Sequence, residues 1–325
     1  MNESRMNRRR MLGAGAALLM ASMEALAADG RTIEWVVGFA AGGGSDVVAR
    51  TVAEGMAKEL NQTIVVINKP GASTNIAADY VAKARDAGNT LLTADFATLA
   101  TNPYLYSKLT YSIERDFSLV GMLVRYPLIL VVHPSVPAKD FKEFLVWAKA
   151  QKEPVNYATP GTGTPHHLAT ELLREATGLR LSHVPYRGGA PAMQDVIGGQ
   201  VPFMLIESTG GLQHIASGRV RAIAVASGTR MSALPDVPTL QQQGLKNFEA
   251  FAWQGLAIPA TAPSGSVEKY NRALVASLNS AAVRARLQVL GAEPLPGTPA
   301  QMVEFTRAER ERWGALIKQL DLKAE

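Results

Sequence analysis

The stretch Thr32-Ile-Glu-Trp-Val-Val-Gly-Phe-Ala-Ala-Gly-Gly-Gly-Ser-Asp46, followed by a periodic run to Leu60 and then Thr63-Ile-Val-Val-Ile-Asn68, decides the fold. Its first seven residues are rich in β-branched and aromatic side chains and read as a strand. The glycine-rich segment is a loop. The run Val47 to Leu60 has helical spacing of apolar residues, and the second β-rich run follows at once. Strand, loop, helix and strand in under 40 residues form a βαβ unit, which requires a parallel sheet. The loop after the first strand then lies at the sheet's C-terminal edge, where open α/β sheets bind ligands.

Working outward, the alternation repeats. Pro70-Gly-Ala-Ser-Thr-Asn75 leads into a helix from Ile76 to about Arg85, then the strand Thr90 to Ala94. A long apolar strand, Leu119 to His133, is interrupted at Tyr126-Pro127. A second series follows: helix 138–150, strand Val155 to Ala158, helix 165–177, strand Leu181 to Val184, helix 189–198, strand Pro202 to Ile206, helix 209–217 and strand Arg221 to Ala226. The chain then runs through Glu249 to Ile258 and ends in two amphipathic helices. The first begins near Pro263–Ser266, and the second has Thr298 as N-cap and Pro299 in its first turn. This predicts an α/β protein of two lobes joined by crossing strands near 119–132 and 249–258. Residues 28–125 and 252–325 form the first lobe and 126–251 the second.

The amino terminus reads as an export signal. Arg8-Arg-Arg10 precede an apolar run from Met11 to Met23, and Ala25-Leu-Ala27 has the small residues of a signal peptidase site. The apolar run is shorter than the roughly 20 residues of a membrane span. Arg8-Arg9, one residue, then Met11-Leu12 fits a twin-arginine signal; an ordinary secretory signal with an extra arginine fits as well. The mature chain then starts near Ala28 and is periplasmic.

Composition removes several function classes. With no cysteine there is no disulfide, thiolate nucleophile or cysteine-ligated metal. The formal charge of +5 falls to about +3 without residues 1–27, and no basic stripe or aromatic ladder runs along the remainder, which argues against nucleic acid. No Gly-Lys-Ser/Thr follows Gly42-Gly-Gly44, so there is no nucleotide P-loop. Gly161-Thr-Gly163 begins like a dinucleotide fingerprint, but His166 stands at the third glycine position, so no cofactor is expected. His166 and His167 are adjacent and point to different helix faces, and no HExxH occurs, so no metal site is expected. No Gly-x-Ser-x-Gly and no spaced acid/base pair appears, so the chain does not read as an enzyme.

The loops at the predicted binding edge are the candidate site. Glycines let the backbone approach a ligand, and free N–H groups at a helix start favour an anion. Gly43, Gly44, Ser45 and Asp46 make the first such loop; the alternative is a turn with Ser45 or Asp46 as an ordinary N-cap. Ala72, Ser73, Thr74 and Asn75 make the second, on a neighbouring strand. In the second half, Thr159, Thr162 and Thr164 lie on a third loop, with His167 either at a helix-start hydrogen bond or against the ligand. Tyr186 walls the pocket or packs at the edge, and Arg187 is solvated. Glu207 meets an amine or hydroxyl of the ligand, or serves as a carboxylate at a helix N-terminus.

Ten ordered blocks make the chain recognisable. They include Trp35 to Asp46, Asn68-Lys-Pro-Gly-Ala72, Asn102-Pro-Tyr-Leu-Tyr106, Val132-His-Pro-Ser-Val-Pro137, His183-Val-Pro-Tyr-Arg-Gly-Gly189, Leu234-Pro-Asp-Val-Pro-Thr239 and Gly291-Ala-Glu-Pro294. The mature chain closely resembles the Bug family of periplasmic receptors, the solute-binding components of tripartite tricarboxylate transporters. The resemblance implies a type II periplasmic-binding-protein fold that closes like a flytrap on a small carboxylate: a dicarboxylate, a citrate-like acid, an acidic amino acid or an aromatic acid. It implies that one carboxylate is held by the loops at 39–46, including Phe39, and 71–76, largely through main-chain N–H groups. It also implies membrane permease subunits as partners, or a sensor protein instead, with the receptor itself a monomer. An exported hydrolase or isomerase on this fold is the reading from another class. Three departures from the family pattern stand out: Ser73, Thr74 and Ala77 replace glycines, Glu207 replaces an aspartate, and Phe96 offers a hydrophobic wall.

Overall fold

The computed structural model describes residues 32–324, so the export signal read in residues 1–27 and the start near Ala28 lie outside the described residues. The first strand, β1 (Ile33–Val37), is buried at Ile33, Trp35, Val36 and Val37, on both faces. A central parallel strand covered by helices on both sides requires that. Helix α1 (Gly44–Leu60) turns Val48, Val52 and Met56, four residues apart, into the core. It stops at Asn61, whose left-handed backbone (φ 50°) closes the last turn. Next come β2 (Ile64–Asn68), α2 (Asn75–Ala82) and the fully buried β3 (Thr90–Asp95). Both β2 and β3 pair parallel with β1, as the opening βαβ reading predicts.

The next strand corrects one expectation. β4 (Phe117–Val132) is a single 16-residue strand, not two pieces broken at Tyr126-Pro127. Its residues 117–127 pair with one sheet and residues 128–132 with the other. Pro127, which has no N–H to give, sits at that changeover, where a missing ladder bond is least damaging.

The second lobe follows as α3 (Phe141–Lys149), β5 (Val155–Thr159), α4 (Pro165–Thr177), β6 (Leu181–Pro185), α5 (Gly189–Ile197), β7 (Phe203–Glu207), α6 (Ser208–Ala216) and β8 (Arg221–Val225). The chain returns through β9 (Phe251–Pro259). The strand order is β2-β1-β3-β9-β4-β7-β5-β6, with β8 also beside β4. Only β4 carries hydrogen bonds in both halves of this order, while Ala250, just before β9, still accepts from Leu128.

The carboxyl-terminal segment corrects a second expectation. There are three helices rather than two: α7 (Ser266–Asn279), α8 (Ala281–Val289) and α9 (Pro299–Gln319), with the short β10 (Glu293–Pro294) between the last two. The break falls at Ser280, whose backbone is extended and whose hydroxyl accepts from the Val283 N–H. A serine in that role competes with helix continuation. Thr298 caps α9 as read from sequence, with Gln301 reciprocating. These helices return to the first lobe, placing Tyr270, Leu274 and Leu287 in one core cluster with Trp35, and Met302, Trp313 and Ile317 in another with Leu92.

Candidate functional site

Because β1, β2 and β3 run parallel, the loops that leave their C-terminal ends share one edge of the first lobe. In the first loop the conformation that calls for glycine belongs to Gly42, at φ +80°. Gly43 is extended, and a Cβ there would only touch the Ala40 carbonyl at 3.4 Å. Gly44 is constrained by space instead, since a Cβ would lie 2.3 Å from Thr209 Oγ1 of the second lobe. The Phe39 side chain lies partly buried against the core.

Asp46 is buried beneath this loop and every bond it makes is internal. Its carboxylate accepts from the Gly42 N–H at 2.9 Å, from Asn68 Nδ2 at 2.9 Å and from the Arg50 guanidinium at 2.9–3.1 Å. Burial pushes its pKa up, but Arg50, the Gly42 N–H and Asn68 together hold it below the usual carboxylate range. Asp46 therefore braces the loop from behind. Asn68 ties the same loop to β2 by donating to the Phe39 carbonyl at 2.9 Å. Ser45 accepts from Gln254 Nε2 of β9.

The second loop holds three consecutive residues at positive φ: Ala72 at 47°, Ser73 at 49° and Thr74 at 73°. None is glycine, and such residues each carry a penalty of about 1–2 kcal/mol. The surrounding structure explains how they persist. Thr74 is buried, its hydroxyl lies 2.7 Å from Thr98 Oγ1 and 3.3 Å from Asp95 Oδ1, and its methyl packs against Gly38. Asp95 also accepts from the Thr98 N–H and hydroxyl, and burial pushes its pKa up. Asn102 Nδ2 donates to the Ser73 carbonyl and to Asn75 Oδ1, each at 2.7 Å, and the Tyr111 hydroxyl reaches Asn75 Oδ1 at 2.8 Å. Thr74 and Asn75 thus shape the loop through their side chains. Phe96 needs a correction. It is 1% exposed between Trp253 and Trp313, with edge-on contacts of 5.8 and 5.5 Å, so its ring belongs to the first-lobe core and walls no pocket.

In the second lobe, His167 Nδ1 accepts from the Gly163 N–H at 3.1 Å, and its ring stacks on His183. Thr159 Oγ1 meets His183 Nε2 at 2.6 Å and the Gly161 N–H at 3.2 Å. Thr164 caps α4 and also donates to the Gly161 carbonyl at 2.8 Å. These three residues fix the glycine loop, so the helix-start reading of His167 describes what it does here. Thr162 lies half-buried in the same loop with no hydrogen bond of its own among the described residues. The Tyr186 hydroxyl donates to Asp195 at 2.6 Å, and burial, with this bond and the charge of Asp195 adding to it, raises its pKa to about 12. Arg187 is exposed. Glu207 ends β7 and pairs with His166 Nε2. Burial acts to raise its pKa, but the charge and hydrogen bond of His166 turn the net direction downward.

The two lobes meet where these loops face each other. Beyond the Gly44–Thr209 approach, Thr101 Oγ1 donates to the Gly163 carbonyl at 3.0 Å, and Leu105 fills the space a Cβ on Gly163 would need. Two open grooves, of about 680 and 480 Å³, lie elsewhere and are lined by none of the sequence-predicted site residues. Helix starts differ in their caps, and two of them break a strict division by position: α4 at the cleft is capped by Thr164, and α7 away from it starts at Gly265 with no side-chain cap. Away from the cleft, α3, α8 and α9 are capped by the side chains of Asp140, Ser280 and Thr298. At the cleft, α1, α2, α5 and α6 have no side-chain cap; their N-cap residues are Gly43, Thr74, Gly188 and Glu207. Their first-turn N–H groups remain available to a ligand.

Sequence reading missed Arg50, Asn68, Asp95, Thr98, Asn102, Tyr126, His166, Thr209 and Gln254. Arg50 had a usable signal, four residues after Asp46 on one helix face. Asp95 had another, a carboxylate closing the otherwise uncharged strand Thr90–Asp95. Thr98 bonds Asp95 only three residues away, and the remaining residues act across long sequence separations and carry no local signature.

Residues 48–322 match the tripartite tricarboxylate transporter family receptor. Protein BugT of Bordetella pertussis is 33% identical over 294 residues, 90% of each chain. Among solved structures, Rpa4515 of R. palustris with adipate superposes with a TM-score of 0.85 at 31% identity, covering 89% of this chain and 97% of that one. MatC from Rhodopseudomonas palustris with bound malate gives 0.80 at 33% identity, covering 88% and 99%. The fold is the two-lobed α/β fold of these binding proteins. The chain belongs to the tripartite tricarboxylate transporter receptor family.

Proposed function

We propose that this protein is a periplasmic receptor that captures a small organic carboxylate between lobe 1 (28–125 and 252–325) and lobe 2 (126–251) and presents it, chemically unchanged, to the membrane subunits of a tripartite transporter. The observation that carries the reading is the uncapped start of α1 and α2, borne on neighbouring parallel strands. Gly44, Ser45, Ala72 and Ser73 direct main-chain N–H groups at one carboxylate, while Gly43 closes the first turn through its N–H to the Ala40 carbonyl and Asp46, Thr74 and Asn75 hold the two loops in shape. Charge-assisted bonds of about 1.5–3 kcal/mol each make three or four such donors sufficient without an arginine. The carboxylate ligands of Rpa4515 and MatC support this choice of ligand class.

The test is a thermal-shift screen of carboxylates and their matching amides on the mature chain. A ligand at 100 times its Kd adds about 2.7 kcal/mol of stability, enough to raise the melting point by several degrees. At least one acid should do so while its amide does not. A protein stabilised by sugars or cations and indifferent to acids would end this reading.

A further inference from the structure

The far wall of the cleft has its own chemistry, and it is rich in acceptors. Glu207 keeps about a fifth of its side chain open, and its side-chain partner among the described residues is His166. Three further groups nearby are buried with polar atoms that have no hydrogen-bond partner. They are His166 Nδ1 on α4, the Tyr126 hydroxyl on β4 close enough to feel the charge of Glu207, and Thr209 Oγ1, two residues after Glu207 and against Gly44. On the facing first-lobe side, Gln254 of β9 donates its Nε2 to Ser45 and leaves Oε1 unpaired. Tyr126, His166 and Gln254 are 2%, 6% and 4% exposed. Buried polar atoms of this kind are rare in a folded chain, and four of the seven among the described residues belong to this group.

The balance of these groups defines what they fit. Glu207 and Gln254 Oε1 only accept hydrogen bonds, and the hydroxyls of Tyr126 and Thr209 can do either. No lysine or arginine pairs with Glu207 among the described residues. A second carboxylate on the ligand would be brought against the Glu207 carboxylate with only one imidazole to offset it, and like charges in a buried site repel. A hydroxyl or an ammonium would meet acceptors instead.

Resting on the carboxylate-receptor reading, we infer that the second-lobe end of the cleft recognises a hydrogen-bond donor on the ligand through Glu207, positioned by His166. The protein therefore takes hydroxy- or amino-carboxylates in preference to unsubstituted dicarboxylates.

The experiment is calorimetric titration of the mature chain near pH 8 with matched probes of three to six carbons: ω-hydroxy acids, ω-amino acids, dicarboxylates, plain monocarboxylates and ω-hydroxy amides. At one chain length an ω-hydroxy or ω-amino acid should bind at least about ten-fold tighter than the dicarboxylate and the plain acid of that length. Glu207→Gln should abolish the advantage of the ω-amino acid and improve dicarboxylate binding. Glu207→Asp should move the preference to a ligand one methylene longer, and it decides the matter if Glu207→Gln fails to fold by circular dichroism. Dicarboxylates preferred at every length, or a rank order unchanged in the folded variant, would overturn the inference. Acids and amides binding alike, or no acid binding at all, would instead defeat the carboxylate reading beneath it.

Discussion

His167 and His183 stack face to face, with ring centroids 3.9 Å apart and planes 9° from parallel. The stack supports the second-lobe glycine loop, since His167 accepts from the Gly163 N–H and His183 meets Thr159. Burial pushes the pKa of His167 down to about 3, with the charge of His183 adding to it, and burial pushes His183 down to about 4. Both rings are therefore neutral in the folded protein at neutral pH.

A pH dependence of stability follows from that neutrality. The unfolded chain binds protons near pH 6.5 and the folded chain does not. The stability these rings contribute is complete above about pH 6.5 and is lost as pH falls toward 4. At pH 5 the loss is about 2 kcal/mol for each ring, and less than twice that for the coupled pair. Asp46 and Glu207, whose pKa values are lowered, add their own loss only at more acid pH. Denaturant midpoints at pH 7.5 and 5 should differ strongly in the wild type and less in His183→Gln. Equal drops in the two proteins would show that the stack does not carry the effect.

The neighbours Ser73 and Thr74 should respond to glycine with opposite signs. Ser73 stands at φ 49° and its side chain makes no hydrogen bond among the described residues, so Ser73→Gly removes strain and loses nothing. It should gain about 1 kcal/mol. Thr74→Gly also relieves a positive φ, but it takes a hydroxyl from the buried Asp95–Thr98 cluster and leaves a void beside Gly38. It should lose about 1–3 kcal/mol. Chemical denaturation of both variants checks the pair; the same sign for both would refute this account of the loop.

What the sequence revealed and what it hid divide along one physical line. The βαβ units were legible because periodicity and glycine loops are local, and so was the N-cap at Thr298. The tripartite break of the C-terminal helices turned on one hydroxyl, Ser280, whose choice between helix and cap is decided by packing. At the site, residue types drew attention to the glycine loops at the sheet edge but not to the work each side chain does. The sequence left Asp46 and His167 open between ligand contact and a local helix-start role, and the structure has both holding backbone in place, His167 through the nearby Gly163 and Asp46 also through Asn68, a partner that only the fold supplies. His166 was dismissed as a metal ligand, and only the tertiary structure sets it against Glu207, 41 positions away.

Phe96 supplies a prediction from the same lesson. An aromatic residue just past a strand end can line a cleft or fill a core, and sequence does not choose between them. The edge contacts with Trp253 and Trp313 choose the core. Phe96→Ala should cost about 3–5 kcal/mol of stability. Ligand affinity measured on the protein that remains folded should change by less than about three-fold, under 1 kcal/mol. A folded variant with altered ligand preference would return Phe96 to the pocket.

Gly44 and Thr209 give the sharpest test of how the lobes meet. A Cβ on Gly44 would lie 2.3 Å from Thr209 Oγ1 and 3.0 Å from its Cβ, so the Thr209 side chain would have to turn away and the two lobes to part slightly. Gly44 is half-buried at the first turn of α1, where its backbone is helical, so alanine there strains nothing within the first lobe. Gly44→Ala should therefore leave the ligand-free melting point within a degree or two of wild type. It should weaken carboxylate binding by about ten- to a hundred-fold, equivalent to 1.4–2.8 kcal/mol, because the second lobe no longer seats against the first loop. Thr209→Gly removes both obstructing atoms, so Gly44→Ala combined with Thr209→Gly should recover much of the affinity that Gly44→Ala loses, and the coupling can be read from a double-mutant cycle. Additive losses in that cycle would mean that the two residues do not meet in the ligand-bound protein.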